Sequence, residues 1–229
     1  MTNEPQIIGA RVLGDQILGA RILGARILGV VLAGGQSRRM GSIDKTLMPL
    51  CGVPMVQRVL DRLRPQVDAT IVNTNAEVSQ FSHLGVPVLG DTVTGYAGPL
   101  AGILTAMEYA EQNGFQHVCS VAADTPFFPS DFVTKLTDAG KQDIVLAGSG
   151  GFRQPTFGLW SVGLLGQLRE FLTQGEERKI MRFVQKHQWS LVEFDINQSD
   201  GADPFFNVNT PDDMKLAEQY LSNGETKHA

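Results

Sequence analysis

Cysteine is scarce in this sequence. Only Cys51 and Cys119 occur among 229 residues, and neither belongs to a CxxC pair. Zinc sites and disulfide scaffolds need clusters of cysteine, or of cysteine with histidine, so the sequence offers no pattern for either. The four histidines are also dispersed, and we assign them no metal or acid–base role. We therefore expect two reduced thiols that pack as small hydrophobic residues in a cytoplasmic protein.

Long apolar runs and an excess of basic charge are also missing. No stretch approaches the roughly 18 uninterrupted apolar residues of a membrane-spanning helix. The chain opens with MTNEPQ, which carries an acid where a secretory signal would be basic. Its net charge of −5 gives no long-range attraction for nucleic acid or an anionic membrane. We expect neither as a partner, and any bound anion must be held by a local cationic cluster.

A short repeat occupies the amino-terminal region. Residues 7–30 read IIGARVLGDQILGARILGARILGV, in which ILGAR occurs twice in tandem. A period of five residues fits neither the 3.6 residues of a helix turn nor the two of a strand. We predict a poorly ordered extension over residues 1–25, one domain over residues 26–222 and a tail over residues 223–229. Self-association of the extension through exposed Ile and Leu stays open as an alternative.

Beyond the repeat, β-branched runs alternate with helical patterns. The helical patterns follow Pro54, Pro99, Pro129 and Pro211, and proline suits the first turn of a helix because its missing N–H would be unpaired there. The predicted strands are residues 27–32, 69–73, 86–89, 117–122, 143–146, 156–160 and 190–194. This alternation predicts an α/β fold, a single Rossmann-like, doubly wound, mostly parallel sheet with helices on both faces.

Polar residues follow the ends of several predicted strands. Residues 33–41 follow the first strand, and Asn73, Asp91 and Asp124 follow three others. In open α/β sheets, ligands bind in the crevice outside the carboxyl ends of the strands. We therefore expect these four sequence-distant segments to share one crevice.

The first of these segments combines glycine with positive charge. Gly34 and Gly35 expose backbone N–H groups, and concave arrays of such groups bind anions. Arg38, Arg39 and Lys45 follow, and their bonds to phosphate would be charge-assisted. Neither the Walker A pattern nor the GxGxxG pattern is present. The loop is typical of a polyphosphate site of another class.

Asp124 closes the apolar run VCSVAAD with a single carboxylate. An unpaired charge at the end of a buried strand is costly, so we expect a positive group against it. Mg²⁺ suits this position because it takes few protein oxygen ligands and completes its shell with substrate phosphates. Capping of the following turn by Asp124 is the alternative.

The segment LAGGQSRRMGSIDK, residues 32–45, resembles the signature LAGGxSxRMGxxDK of nucleotidyltransferases related to molybdenum cofactor guanylyltransferase. Four later segments resemble further blocks of that family in the same order: DTVTGYAGPLAGI, AADTPFF, RQPTFGLW and FFNVNTPDDM. The resemblance covers residues 30–221. It implies transfer of GMP from GTP to molybdopterin, which forms molybdopterin guanine dinucleotide and releases pyrophosphate, with Mg²⁺ as cofactor.

The resemblance also implies a role for each matching position. It implies Arg39, Lys45 and Asp124 as catalytic residues, with Asp124 as the metal ligand. The GTP-binding residues that it implies are Leu32, Ala33, Gly34, Gly35, Lys45, Asn73, Asp91 and Asp124. On the molybdopterin side we expect Arg153, Arg178, Asn207 and Asn209. For Asn73, Asp91 and Asn209 a local turn or helix cap stays open as the alternative, and for Arg178 a solvated charged face.

Three other functions stay open: a CTP-dependent molybdopterin cytidylyltransferase, a sugar-phosphate nucleotidylyltransferase and a nucleotide-binding module without catalysis. The glycine at Gly34 favours GTP, since the cytidylyl relatives tend to show LAAG where this chain has LAGG. The partners that the resemblance implies are GTP and molybdopterin or the molybdenum cofactor. Molybdopterin-handling proteins and molybdoenzyme chaperones are further expected partners.

Overall fold

Strands and helices alternate along the chain, as the sequence predicts. The structure, a computed structural model, describes residues 6–8, 24–34, 45–93, 98–174, 179–196 and 203–225. The strands are β1 (Gln6–Ile8), β2 (Ile27–Leu32), β3 (Pro49–Leu50), β4 (Val53–Pro54), β5 (Ala69–Asn73), β6 (Val88–Leu89), β7 (His117–Ala122), β8 (Ile144–Ser149), β9 (Phe152–Ser161) and β10 (Trp189–Phe194). The helices are α1 (Met55–Leu63), α2 (Pro99–Gln112), α3 (Phe132–Asp138), α4 (Leu165–Gln174), α5 (Ile180–Val184) and α6 (Pro211–Glu225).

Eight of the strands form one sheet, in the order β1-β10-β8-β9-β7-β2-β5-β6. All neighbours pair in parallel except β9, which is antiparallel to β7 and to β8. The reversal follows from the connection, because only Gly150 and Gly151, both with positive φ, separate β8 from β9. A two-residue turn can join only antiparallel strands. The predicted mostly parallel sheet is confirmed.

Helices cover both faces of the sheet, which confirms the predicted layering. In β2, Leu28, Val30 and Leu32 belong to the apolar cluster formed with α2, α4 and α5. Ile27 and Val31 belong instead to the cluster formed with α1 and α3. All six residues of β2 are buried, as expected for a central strand of a parallel sheet. Packing on both faces therefore holds β2 in place, and the glycine loop follows the end of this strand.

Part of the amino-terminal extension is described. Residues 6–8 form β1, which pairs with β10 at one edge of the sheet, with Gln6 opposite Ser190. Residues 1–5 and 9–23 lie outside the described residues, so the predicted domain limits and the poor order of the extension stay predictions. At the other end, α6 continues to Glu225, into the predicted tail. None of the helices in the described ranges is both long and apolar enough to cross a bilayer.

The two cysteines occupy different environments. Cys119 is buried in the core, and burial raises the pKa of its thiol. Cys51 is exposed, in the turn between β3 and β4, so the expectation of a packed hydrophobic residue is wrong for this position. This hairpin was not predicted, because each strand has only two residues and no alternating pattern can show in so short a segment.

The β3–β4 turn leads to a prediction about stability. Cys51 has φ 47 and Gly52 has φ 75, the left-handed pair of a type I′ turn. Left-handed geometry costs most L residues about 1–2 kcal/mol, and asparagine tolerates it better. We expect Cys51→Asn to raise the free energy of unfolding by about 0.5–1 kcal/mol, measured by urea denaturation. An unchanged or lower denaturation midpoint would contradict this interpretation of the turn.

Candidate active site

The ends of β2, β5 and β7 meet at one edge of the sheet. Their backbone pairing continues one residue beyond the strands, because Ala33 N donates to Asn73 O at 2.8 Å and Ala123 N donates to Leu32 O at 3.1 Å. The residues that follow these strands are therefore neighbours. Of the predicted phosphate loop, residues 35–44 lie outside the described residues, and these include Gly35, Arg38 and Arg39.

Lys45 and Asp124 form an ion pair at this edge. Lys45 Nζ lies 2.6 Å from Asp124 Oδ2, although 79 positions separate the two residues in sequence. Their side chains are only 15% and 18% exposed. Water screens such a pair less than it screens a surface pair. The expectation that a positive group lies against Asp124 is confirmed, and the group is Lys45.

Asn209 is the second acceptor for Lys45. Lys45 Nζ donates to Asn209 Oδ1 at 2.6 Å, and Val208 N donates to Asp124 O at 2.8 Å. Val208 is buried with Leu50 of β3, so the segment before α6 is held against the end of β7. The structure thus places Asn209 at the Lys45–Asp124 pair. Asn207 is exposed in the same segment.

Asn73 and Asp91 form a second polar group, at the ends of β5 and β6. Asn73 is 4% exposed, and its Nδ2 donates to Asp91 Oδ1 at 3.0 Å and to Leu89 O at 3.2 Å. Asn75 Nδ2 donates to Asp91 Oδ2 at 2.7 Å, and Asp91 N donates to Asn75 Oδ1 at 2.8 Å. Both carboxylate oxygens of Asp91 are thus oriented by amides. The role of Asn75 was not predicted from the sequence, although its spacing from Asn73 was a usable signal.

Helix α2 passes very close to Asn73. A Cβ atom built on Gly102 would lie 2.2 Å from Asn73 Oδ1 and 2.8 Å from Leu32 Cδ2. The helix can approach the ends of β2 and β5 only because position 102 has no side chain. Gly102 therefore belongs to the structural support of the site, in a segment for which the sequence predicted only a helix that follows Pro99.

Adding a methyl group at position 102, where α2 contacts Asn73, leads to a testable prediction. In Gly102→Ala the new methyl group must displace Asn73, and overpacking of this kind costs about 1–3 kcal/mol. We expect that loss in urea unfolding, together with weaker GTP binding in calorimetry. Gly166→Ala in α4 is the matched control, because nothing lies within 4 Å of a Cβ there. Its alanine should be neutral or stabilise by up to about 1 kcal/mol. Equal effects of the two changes would contradict the packing that we describe.

The remaining predicted residues lie apart from the ion pair or outside the described residues. Arg153 is exposed at the start of β9, and its guanidinium lies 5.5 Å from the ring centre of Trp189 in β10. β10 is three positions from β7 in the sheet, so the structure does not bring Arg153 to the ion pair. Arg178 lies outside the described residues.

The carboxylate of Asp124 is suited to a cation that arrives with phosphates. Within the described ranges, no three His, Cys, Asp or Glu side chains are grouped to hold a metal ion. Mg²⁺ needs only one or two protein carboxylates when phosphates supply other ligands. Asp124 Oδ2 accepts from Lys45, and Oδ1 has a longer contact of 3.3 Å with Thr125 Oγ1. A carboxylate has about four acceptor sites, so Asp124 can still provide a ligand.

Comparison with known proteins gives consistent matches. The family model of the MobA-like NTP transferase domain matches residues 29–190. A molybdenum cofactor guanylyltransferase of Mesorhizobium japonicum is 44% identical over 196 residues, 84% of this chain and 94% of that protein. Among solved structures, molybdopterin-guanine dinucleotide biosynthesis protein A from Archaeoglobus fulgidus is 24% identical, with a TM-score of 0.66 over 86% of this chain and 99% of its own.

A Mycobacterium tuberculosis protein, solved as a complex with manganese, is 18% identical, with a TM-score of 0.61 over 85% of this chain and 98% of its own. These two structural matches establish that the fold is shared. The family model and the Mesorhizobium relative establish more, because each spans most of the sequence. The chain therefore belongs to the MobA-like NTP transferase domain family.

Proposed function

We propose that the protein transfers GMP from GTP to molybdopterin and releases pyrophosphate. One observation carries the proposal: in a chain 44% identical to a molybdenum cofactor guanylyltransferase, Lys45 contacts Asp124 at the carboxyl edge of the sheet. A cation and a carboxylate held together at a strand end are suited to a nucleotide triphosphate and its divalent ion.

The proposed reaction is an exchange of bonds at phosphorus. An oxygen of the pterin phosphate attacks the α-phosphorus of GTP, and the bond from that phosphorus to the bridging oxygen of pyrophosphate breaks. The second pKa of a phosphate monoester is about 6, so the nucleophile is already an anion near neutral pH. No general base is needed, and the obstacle is repulsion between anions. Lys45 opposes this repulsion by placing an ammonium beside the triphosphate.

We propose Mg²⁺ as the cofactor, with Asp124 as its protein ligand. When bound, the ion would neutralise charge on the phosphates and orient them. The manganese complex of the mycobacterial protein supports the view that this fold can hold a divalent cation. Residues of this chain would provide the rest: Lys45 its charge, and the described loop residue Gly34 its backbone N–H group.

The other substrate contacts are proposals of the same kind. Asn73 and Asp91 would bind the guanine nucleotide, since the amides of Asn73 and Asn75 orient the Asp91 carboxylate. Asn207 and Asn209 would face the pterin, and Arg153 and Arg178 would receive its phosphate. Molybdopterin-handling proteins and molybdoenzyme chaperones as partners, and a cytoplasmic location, stay predictions.

The test is identification of the pterin product. The purified protein would be incubated with molybdopterin and Mg²⁺, and with GTP, CTP or GTP plus a hexose phosphate in parallel, followed by mass spectrometry and a pyrophosphate assay. We expect a guanine dinucleotide with GTP and little product with CTP. A cytosine dinucleotide as the main product, a nucleotide sugar, or tight GTP binding without pyrophosphate release would each replace the proposed function with one of its alternatives.

A further inference from the structure

The amino end of α6 is closed by reciprocal hydrogen bonds between Thr210 and Asp213. Asp213 N donates to Thr210 Oγ1 at 3.1 Å, and Thr210 N donates to Asp213 Oδ2 at 2.8 Å. This arrangement is a capping box, in which the third helical residue reaches back to the first N–H groups. Met214 N donates to Thr210 O at 3.0 Å, which is the first hydrogen bond of the helical pattern.

Asp213 also binds the backbone of Asn209, the residue that precedes the capping box. Asn209 N donates to Asp213 Oδ2 at 2.9 Å, so one carboxylate oxygen accepts two successive backbone N–H groups. The side chain of this same Asn209 accepts a hydrogen bond from Lys45 at 2.6 Å. Residues 206–209 form no helix or strand, so these bonds, together with that of Val208 to Asp124, define the course of the segment.

We propose that Asp213 is a positioning residue that holds Asn209 against Lys45 and thereby directs the Lys45 ammonium at Asp124. A lysine side chain has many rotamers, so its ammonium keeps one position only if fixed acceptors surround it. Asn209 provides such an acceptor without neutralising the positive charge, which a second carboxylate would do. The pKa of Asp213 is lowered, mainly by the Asn209 hydrogen bond, and the charge of Lys45 contributes a smaller effect.

A matched pair of variants tests this role through turnover, which rests on the proposed function. In Asp213→Ala we expect kcat for GMP transfer to fall roughly tenfold or more with little change in the KM for GTP. Asp213→Glu, which can rebuild a capping box, should recover most of that loss. Asp212→Ala removes the same charge from the same helical turn, but Asp212 is 91% exposed and pairs with Lys215, so we expect wild-type kcat.

A double-mutant cycle separates positioning from general damage to the helix. If Asp213 acts through Asn209, then Asn209→Ala combined with Asp213→Ala should lose no more kcat than Asn209→Ala alone. Multiplied losses in the double variant, or equal losses in Asp212→Ala and Asp213→Ala, would overturn the proposal.

A measurement independent of turnover distinguishes failure of this inference from failure of the proposed function. The rate at which an amine-reactive reagent modifies Lys45 can be followed by peptide mass spectrometry in the full-length protein. We expect modification several-fold faster than wild type in Asp213→Ala, but not in Asp212→Ala or Asp213→Glu. An unchanged Lys45 rate in Asp213→Ala would overturn the positioning role even in an active enzyme. If Lys45 were modified faster in Asp213→Ala while the wild-type protein transferred no GMP, the positioning role would be supported and the proposed function refuted.

Discussion

Replacing Asp124 with asparagine is expected to lower the turnover of GMP transfer by roughly 10²–10³-fold, while the protein stays folded. Asparagine keeps an oxygen that can accept the hydrogen bond from Lys45, which is 2.6 Å from Asp124 Oδ2. It loses the negative charge that would hold a divalent cation beside the phosphates. The loss should therefore appear mainly in kcat, and pyrophosphate release at saturating GTP would measure it.

The control for this change is a second lysine–aspartate pair of the same chain. Asp131 Oδ2 lies 3.0 Å from Lys135 Nζ, but those side chains are 53% and 42% exposed. Exposed pairs of this kind contribute only about 0–1 kcal/mol, so Asp131→Asn should leave turnover and stability nearly unchanged. If Asp124→Asn retained turnover within a few-fold of wild type, Asp124 could not be the metal ligand that we propose.

Replacing Lys45 with methionine is expected to lower turnover by about 10³-fold. Methionine has nearly the same length, so the packing of the side chain is largely kept while the ammonium is lost. Two acceptors lie 2.6 Å from Lys45 Nζ, one on Asp124 and one on Asn209, and a compact ammonium fits between them. The planar guanidinium of arginine does not match that geometry. We therefore expect Lys45→Arg to recover little of the lost turnover.

Binding measurements complete the second prediction. Calorimetry with GTP and Mg²⁺ should show weaker binding in Lys45→Met, because the variant loses a cation beside the triphosphate. Lys135→Met, at the exposed pair, is the matched control and should bind GTP as wild type does. Normal GTP affinity together with normal turnover in Lys45→Met would show that the ammonium does not act on the nucleotide.

The central strands were predicted well because buried strands of a parallel sheet appear in the sequence as continuous β-branched runs. The bounds of β2, β5 and β7 agree with the predicted residues 27–32, 69–73 and 117–122. β9 begins at Phe152, earlier than the predicted residue 156, and includes Pro155. Proline has no N–H to donate to a strand ladder, so its presence inside a paired strand needs an explanation. The register with β8 is irregular between Leu146 and Ala147, where the pairing passes from Gly158 to Gln154, so Pro155 is not needed as a ladder donor.

Helices without a proline start signal were missed. α4 begins at Leu165 after a short 3₁₀ helix, and α5 has five residues, too few to show a helical period. The three helices α1, α2 and α6 begin within a residue of the prolines that the sequence singled out. α3 begins at Phe132, three residues after Pro129.

At the site, the burial of the strand before Asp124 predicted a cation beside this carboxylate, but it did not identify which cation. Lys45 was predicted as a loop cation from the residues and as a catalytic residue from the family resemblance, and the structure brings it together with Asp124. Asn75 and Asp213 were not predicted, although the spacing of Asn75 from Asn73 and the capping-box spacing of Thr210 and Asp213 were usable signals. Gly102 was not predicted, because its importance depends on the contacts of α2 with the ends of β2 and β5. Such contacts leave no local pattern in a single sequence.

The central claim is that Lys45 and Asp124 act as one unit on the same triphosphate. It is tested most directly by single-turnover GMP transfer in wild type, Lys45→Met, Asp124→Asn and the double variant. Residues that act as a unit are strongly non-additive, so the double variant should be about as slow as the slower single variant. A double variant slowed by the product of the two separate losses would contradict the claim.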